Sequence, residues 1–289
     1  MSDINTEMQQ FTEQIEALSK KKPECAKLLS FQNDTLLCQQ KAKTDLCIED
    51  FKFYSAELSR ILSSGEAILK KLAPPLNIKI AESLFSELKE VAKKQSENIN
   101  KQVTLIEKAV SSGKTDTQKL MSAAFSSSSA QEIREEAQKE NLDGELLSLL
   151  ILCSIKPNIE KYAESILPKT DLSSWHKPEC PVCGFLPSIS ELQGEEGKRI
   201  LFCSMCRATW RYPRIKCIFC GTEDQQALRI LFPENTNAAY RADICDKCKK
   251  YLKTVDSRKA DKRYFMELED LATIDIDLLA EREGYTRGS

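Results

Sequence analysis

The sequence predicts an α+β protein in which a helical amino-terminal domain precedes two small β modules and a carboxy-terminal helix. Three observations support this prediction. Up to about residue 170, apolar residues recur every three or four positions, which is the spacing of amphipathic helices. From about residue 171 short alternating segments replace them, and these segments contain four Cys-x-x-Cys units. A composition of 41% hydrophobic and 30% charged residues, with 9 Gly and 10 Pro, suits a folded and mostly helical chain.

The helical region divides into amphipathic segments that we expect to pack as antiparallel helices. Their apolar stripes comprise Ile4, Met8, Phe11, Ile15 and Leu18; Phe51, Tyr54, Leu58 and Ile61; Ile80, Leu84, Leu88 and Val91; and Ile99, Val103, Ile106 and Val110. Breaks are predicted at 74–75 and 111–113. Ser129 and Glu132 fit a capping box, and the apolar segment 142–155 predicts a buried helix that ends before Pro157. Such stripes form cores, so we assign them no chemistry.

The second half of the chain predicts strands joined by turns. Strands are expected at 189–192, 198–202, 208–212, 227–232 and 240–244, with a hairpin turn at 194–197 and a helix at 267–282. These elements give four predicted regions: a helical domain at 1–170, a first four-cysteine metal module at 171–215, a second at 216–263, and a helix and tail at 264–289.

The apolar runs are too short for a membrane span. The longest, at 146–153, is far below the roughly 20 residues that a bilayer requires. The first 20 residues lack the basic start and unbroken apolar run of a secretory signal. We therefore expect a cytoplasmic protein.

Four Cys-x-x-Cys units carry the clearest chemical signal. A spacing of two residues lets both sulfurs point at one ion, and two such units complete a tetrahedral site with four thiolates. Pairing in chain order is the simplest arrangement, although a cross-brace or a pairing of the second unit with the third would also satisfy the spacing. Pairing in order gives one set of Cys180, Cys183, Cys203 and Cys206 and another of Cys217, Cys220, Cys245 and Cys248. Gly184 and Gly221 follow two of the units, where the turn requires a positive φ.

We expect these sets to bind iron or zinc, since both ions accept four thiolates. The loops Cys180-Pro-Val-Cys-Gly and Cys217-Ile-Phe-Cys-Gly are typical of both rubredoxin-like iron sites and zinc ribbons. A closed site leaves no position for substrate, which argues against hydrolysis at the metal. Structural disulfides are disfavoured in a reducing cytosol. The other cysteines, Cys25, Cys38, Cys47 and Cys153, and the single histidine, His176, are not expected to be ligands.

No catalytic pattern accompanies the cysteines, so the sequence predicts a protein that is not an enzyme. Only one histidine is available for a triad, and neither a G-x-S-x-G element nor a phosphate-binding glycine loop is present. Residues 198–263 hold 16 basic and 7 acidic side chains, with Trp210 among arginines. A divalent metal ion bound by four thiolates carries a net charge of −2. Two such sites would reduce the excess of positive charge from +9 to +5, which weakens the case for binding nucleic acid. An acidic peptide or protein surface fits this region equally well.

The ordered cysteine units resemble those of the FdhE-type formate dehydrogenase accessory proteins. The matching residues span about 175–287 and are Cys180-Pro-Val-Cys-Gly with Pro187, Cys203-x-x-Cys206 with Trp210 and Arg214, Cys217-x-x-Cys220, Cys245-x-x-Cys248 with Tyr251-Leu-Lys253, Asp270-Leu-Ala, and Glu283-Gly-Tyr285. Before residue 170 the likeness is limited to Leu29-Ser-Phe31 and helical character. Phe185 and Lys249 depart from the family, which usually has a small residue and a glycine there.

This resemblance implies a cytoplasmic, non-enzymatic maturation factor that a respiratory formate dehydrogenase needs for activity. It further implies that the protein binds the catalytic subunit before export, and that two rubredoxin-like modules, associated with iron in that family, follow a helical domain. Two alternatives stay open. One is a zinc-ribbon nucleic-acid-binding protein that uses Arg207, Arg211, Arg214 and Lys216, and the other is a rubredoxin-like electron-transfer protein.

Overall fold

The computed structural model describes residues 2–48, 52–127, 129–233, 239–260 and 265–288, and describes side chains from residue 9 onward. The helices are α1 (Ser2–Lys21), α2 (Ala26–Asp45), α3 (Ser55–Ser63), α4 (Ile68–Leu72), α5 (Ile78–Lys93), α6 (Glu97–Ser111), α7 (Thr117–Ser127), α8 (Gln131–Lys139), α9 (Gly144–Ile166), α10 (Met266–Ala272) and α11 (Ile274–Arg282). The strands are β1 (Ile189–Gln193), β2 (Lys198–Phe202), β3 (Thr209–Arg211), β4 (Leu228–Leu231), β5 (Tyr240–Cys245), β6 (Lys250–Asp256) and β7 (Thr286–Arg287). The α+β class with a helical amino-terminal half is therefore confirmed.

Helices α5, α6 and α9 begin where a polar side chain accepts hydrogen bonds from their free amides. The side chain of Asn77 accepts a hydrogen bond from the Ile80 amide at the start of α5, and Asp143 accepts one from Leu146 at the start of α9. Helix α8 begins after Ala130, and Ser129 accepts a hydrogen bond from the Gln131 amide, so the capping box predicted between Ser129 and Glu132 is not observed among the described residues. Most residues of the apolar stripes face inward as predicted, but Tyr54, which precedes α3, is 62% exposed. Ile4, Met8 and Phe51 lie outside the described side chains.

Helix α9 continues through Pro157 instead of ending before it, so that prediction was wrong. A proline at position 157 removes the hydrogen bond that would reach the carbonyl of Cys153, one turn earlier. The side chain of Gln39, on α2, donates to that carbonyl at 2.9 Å. Because a neighbouring helix satisfies the group that proline leaves unpaired, the helix continues to Ile166.

The strands form one sheet in the order β3-β2-β1-β6-β5-β4, with β7 beside β6. Strands β1 and β6 pair in parallel, with Ser190 opposite Thr254, and this pairing joins the two predicted modules. Strand β6 was not predicted, although Tyr251, Thr254 and Val255 are strand-favouring residues. The predicted carboxy-terminal helix is divided into α10 and α11 at Thr273, whose backbone is not helical.

The main core runs from the helical half into the first module without a break. Trp175, Val182 and Trp210 belong to the same buried cluster as the residues of α5 and α9. The first two amides of α4 donate to the knuckle that contains Cys180 and Cys183: Ile68 N binds the Pro181 carbonyl at 2.9 Å, and Leu69 N binds the Val182 carbonyl at 2.8 Å. The first cysteine set is thus anchored to the helical half.

The second module has its own smaller core. Helix α11 packs on one face of the sheet, where Ala242, Ile244 and Tyr251 are buried against Ile276 and Ala280. The opposite face of β4, β5 and β6 is not covered by this helix. None of the described helices is long and apolar enough to cross a bilayer.

Candidate metal centres

All four Cys-x-x-Cys units fold into the same turn. In each, the amide of the residue after the second cysteine donates to the carbonyl of the first cysteine, at distances between 2.8 and 3.0 Å. The residue after the second cysteine has a positive φ in every unit. These four residues are Gly184 (φ 83°), Arg207 (φ 61°), Gly221 (φ 70°) and Lys249 (φ 56°). Two of them are not glycine, so the sequence signal reveals only half of the turns.

The first set brings together the sulfurs of the first two units. The Sγ atoms of Cys180 and Cys206 lie 3.4 Å apart, as do those of Cys183 and Cys203, and all four lie within 4.8 Å of one another. A tetrahedral ion with bonds of about 2.3 Å places sulfurs about 3.8 Å apart. The set therefore has the size and composition of a closed four-thiolate site. All four cysteines are buried.

The second set has the same composition but lies nearer the surface. The sulfurs of Cys217 and Cys248 are 3.7 Å apart, and those of Cys220 and Cys245 are also 3.7 Å apart. The Phe219 amide points at the Cys217 sulfur at 3.4 Å, as expected for a knuckle that stabilises a thiolate. Cys220 is exposed and Cys248 is half-buried. Both sets can hold a metal ion, and they follow the simplest of the pairings that the spacing allows.

Burial sets the acidity of the thiols in the first set. Burial raises the pKa of Cys183 and of Cys206 well above the ordinary value, because a lone thiolate is poorly solvated there. At Cys203 burial also opposes ionisation, but hydrogen bonds from the three neighbouring sulfurs outweigh it and bring the pKa well below the ordinary value. A cation at the centre would stabilise all four thiolates.

The second set, like the first, contains thiols whose pKa is raised and a thiol whose pKa is lowered. At Cys220 burial raises the pKa, but hydrogen bonds from the Thr222 amide and the three neighbouring sulfurs together outweigh it, so the net pKa is below the ordinary value. Burial and the nearby Cys217 sulfur raise the pKa of Cys248 to about 12.

The remaining cysteines and the histidine lie apart from both sets. Among the described residues, Cys25 is buried, Cys38 and Cys153 are half-buried, and Cys47 is exposed. His176 lines a surface recess together with Arg211 and is not grouped with the sulfurs.

The cations proposed for nucleic acid are partly engaged within the protein. Arg207 pairs with Glu267 at 3.0 Å, and Lys216 pairs with Glu223 at 3.0 Å. Arg211 and Arg214 are exposed. The four side chains therefore do not present a set of free cations.

Fold and site together define a class of helical proteins that carry two four-cysteine sites on one sheet. Two family models match this region: "FdhE, central domain" over residues 179–214 and "FdhE, C-terminal domain" over residues 215–289. The resemblance to the FdhE family that the cysteine units predict is confirmed by these matches and by the relatives described below.

Curated relatives match over part of their length. A "Protein FdhE homolog" of Aquifex aeolicus is 30% identical over 152 residues, which cover 52% of each chain. "Protein FdhE" of Escherichia coli K12 is 36% identical over 112 residues, or 38% of this chain and 35% of that protein. The matches thus span about half the length of these relatives or less.

The fold likeness extends over almost the entire chain. The crystal structure of the FdhE protein from Pseudomonas aeruginosa superposes with a TM-score of 0.60 at 18% sequence identity. This superposition covers 96% of the present chain and 92% of that one. The helical half, for which the sequence likeness is thin, therefore shares the fold of that protein.

Proposed function

We propose that this protein is an accessory factor for a respiratory formate dehydrogenase, that it binds the catalytic subunit in the cytoplasm, and that each four-cysteine set holds one iron or zinc ion. The observation that carries this proposal is the presence of two closed four-cysteine sets within the two FdhE domains. No cluster of histidine, aspartate and glutamate with an open metal position was found within the described ranges. A role in binding and maturation fits these features better than catalysis does.

The two ions would have different roles, because the two sets differ in burial. An ion at the first set would hold together the knuckles on which α4 is anchored, and so would be structural. An ion at the second set would be reachable through the exposed Cys220. In both sets the four sulfurs fill a tetrahedral shell, so neither ion would bind water for hydrolysis.

Electron transfer is the alternative that one observation favours. An iron ion close to the surface at the second set could exchange electrons with a partner, whereas zinc has no accessible redox change. Reversible loss and return of iron-thiolate absorption upon reduction and oxidation would support this alternative. A colourless zinc-loaded protein would exclude it.

The accessory role is tested by purifying the tagged protein from its own host, grown anaerobically, and identifying the proteins that co-purify. The proposal expects enrichment of a formate dehydrogenase catalytic subunit. A Cys220→Ser variant should lower metal content at the second set, and Cys47→Ser, which changes another exposed cysteine, should not. Consistent recovery of unrelated partners, with no formate dehydrogenase subunit, would contradict the proposed role.

A further inference from the structure

The open face of β4, β5 and β6 forms a cavity of about 380 Å³ beside the second cysteine set. Alternate residues of a strand share a face, and the register places Ile230 opposite Asp243, which in turn lies opposite Leu252. These three residues form the floor of the cavity, while Arg214 and Ile215 contribute to its wall. Because α11 packs on the other face of the sheet, the cavity opens on the side opposite that helix.

Two buried guanidinium groups in this cavity share one carboxylate. Arg199 and Arg241 have side chains that are only 7% and 8% exposed. Arg199 donates to Asp243 Oδ2 at 2.5 Å, and Arg241 Nε lies 2.9 Å from Asp243 Oδ1 without the alignment of a hydrogen bond. Within the described residues, Arg199 Nε also has no hydrogen-bond partner. A buried cation without a matching anion is costly, so this arrangement favours a bound anion.

The charge around the cavity also favours a bound anion. Six cationic side chains line it: Arg199, Arg214, Lys216, Arg229, Arg241 and Lys250. Within the part of the chain that the structure describes, Asp243 is the one acidic side chain that lines it. Glu223 and Asp246 pair with two of the cations from outside, and a loaded second site would add two negative charges. The balance is still positive after these are counted.

The rim of the cavity suits a peptide. Ile215 and Ile230 are 55% and 44% exposed at its edge, and these are high values for large apolar side chains. Strand β4 is the last strand of the sheet. The Asp246 amide donates to the Ala227 carbonyl, so by the alternation of an antiparallel pair the backbone groups of Leu228 and Ile230 point away from β5. An extended peptide can pair with such an edge, whereas a nucleic acid has no complementary backbone groups.

We propose that this cavity and the β4 edge bind an extended segment of a partner protein in which an acidic side chain and its aliphatic neighbours occupy every second position, so that all of them share the face turned toward the cavity. The peptide backbone would pair with Leu228 and Ile230, its aliphatic side chains would cover the apolar rim, and a carboxylate would reach the buried arginines. The partner's identity rests on the proposed function, but the binding chemistry does not depend on it.

A defined peptide tests the proposal with the full metal-loaded chain. Fluorescence anisotropy would compare fluorescein-labelled Ser-Val-Ser-Glu-Ser-Val-Ser, in which the valines and the glutamate share one face, with its counterpart in which the glutamate is glutamine. A hydrogen bond to a charged group contributes enough to make the glutamate peptide bind about tenfold or more tightly. Equal affinity of the two peptides would overturn the proposal. Displacement of the glutamate peptide by inorganic phosphate or by a uridine heptamer at equal concentration would also overturn it, because the site would then be a phosphate site.

Variants localise the binding. Ile230→Asp should weaken the glutamate peptide at least tenfold, while Leu105→Asp, a change at a matched exposure of 43% in the helical half, should not. Arg214→Gln should weaken it about threefold, because that side chain is exposed, and the exposed Arg60→Gln should not. Wild-type affinity in the Ile230 variant would overturn the assignment. If a formate dehydrogenase subunit co-purifies but the peptide does not bind, only the proposed peptide site is refuted. If the peptide binds but no such subunit co-purifies, only the accessory role is refuted.

Discussion

Replacing one cysteine in each set by serine should reveal that the two sets contribute differently to stability. An ion in a four-thiolate site adds about 10–16 kcal/mol to folding, so one ligand corresponds to about 3 kcal/mol. At Cys183, which is 3% exposed, a serine hydroxyl would also be buried without a partner, at a further cost of about 1–3 kcal/mol. At the exposed Cys220, water can solvate the serine and replace part of the lost ligand.

Thermal unfolding followed by circular dichroism measures this difference. With about 2–4 °C for each kcal/mol, Cys183→Ser should lower Tm by about 10 °C or more, and Cys220→Ser by clearly less. Cys25→Ser and Cys47→Ser serve as controls, because Cys25 is buried to a similar degree and Cys47 is exposed, and both lie outside the sets. Equal losses of Tm in the two ligand variants would refute the reasoning from burial.

Three further predictions concern the turns and the buried charges. Gly221→Ala should cost about 1 kcal/mol in urea unfolding, because φ is +70° while no atom lies within 4 Å of an added Cβ. Lys253→Met should cost about 3 kcal/mol in the same assay, since the lysine is 1% exposed and pairs with two carboxylates at 2.6 and 2.9 Å. Burial raises the pKa of Glu160, but Lys156 and Lys43 bring it below its ordinary value of 4.5, so Glu160→Gln should destabilise at pH 7 and progressively less as pH falls below about 4.5.

Each of these predictions has a control or an outcome that contradicts it. Gly144→Ala, on α9 at an ordinary φ, should be neutral or stabilising by up to about 1 kcal/mol, and a loss equal to that at Gly221 would contradict the backbone argument. A Lys253→Met protein as stable as wild type would show that the two carboxylates do not need this cation. For Glu160, a difference from wild type that stays constant from pH 7 down to about pH 3 would show that the carboxylate does not titrate with folding.

The cysteine sets were predictable because the chemistry of the ligands restricts their spacing. Two residues between cysteines, and enough chain between units for a hairpin, led to the sets that the structure brings together. The strands around them were predictable from alternation, except β6 and the short β7. Half of the left-handed turn positions escaped prediction, because Arg207 and Lys249 occupy a conformation that the sequence pattern associates with glycine.

Other features depend on contacts between residues that are distant in sequence. The continuation of α9 through Pro157 requires Gln39, a residue 114 positions before the carbonyl that it satisfies. The pairing of β1 with β6 joins residues 64 positions apart, and it turns two predicted modules into one sheet. The cationic cavity forms only in the folded chain, where Arg199 and Arg241 both pair with Asp243. Neither the periodicity of apolar residues nor the spacing of cysteines predicts these contacts.

The central claim is that each cysteine set holds one metal ion. Its most direct test is metal analysis of the protein purified without oxygen, combined with a count of thiols that react with an alkylating reagent after denaturation in a chelator. The account predicts two ions of iron or zinc per chain, and all 12 cysteines reactive once the metal is removed. A protein that contains no metal, and in which cysteines of these sets are joined in disulfides, would contradict it.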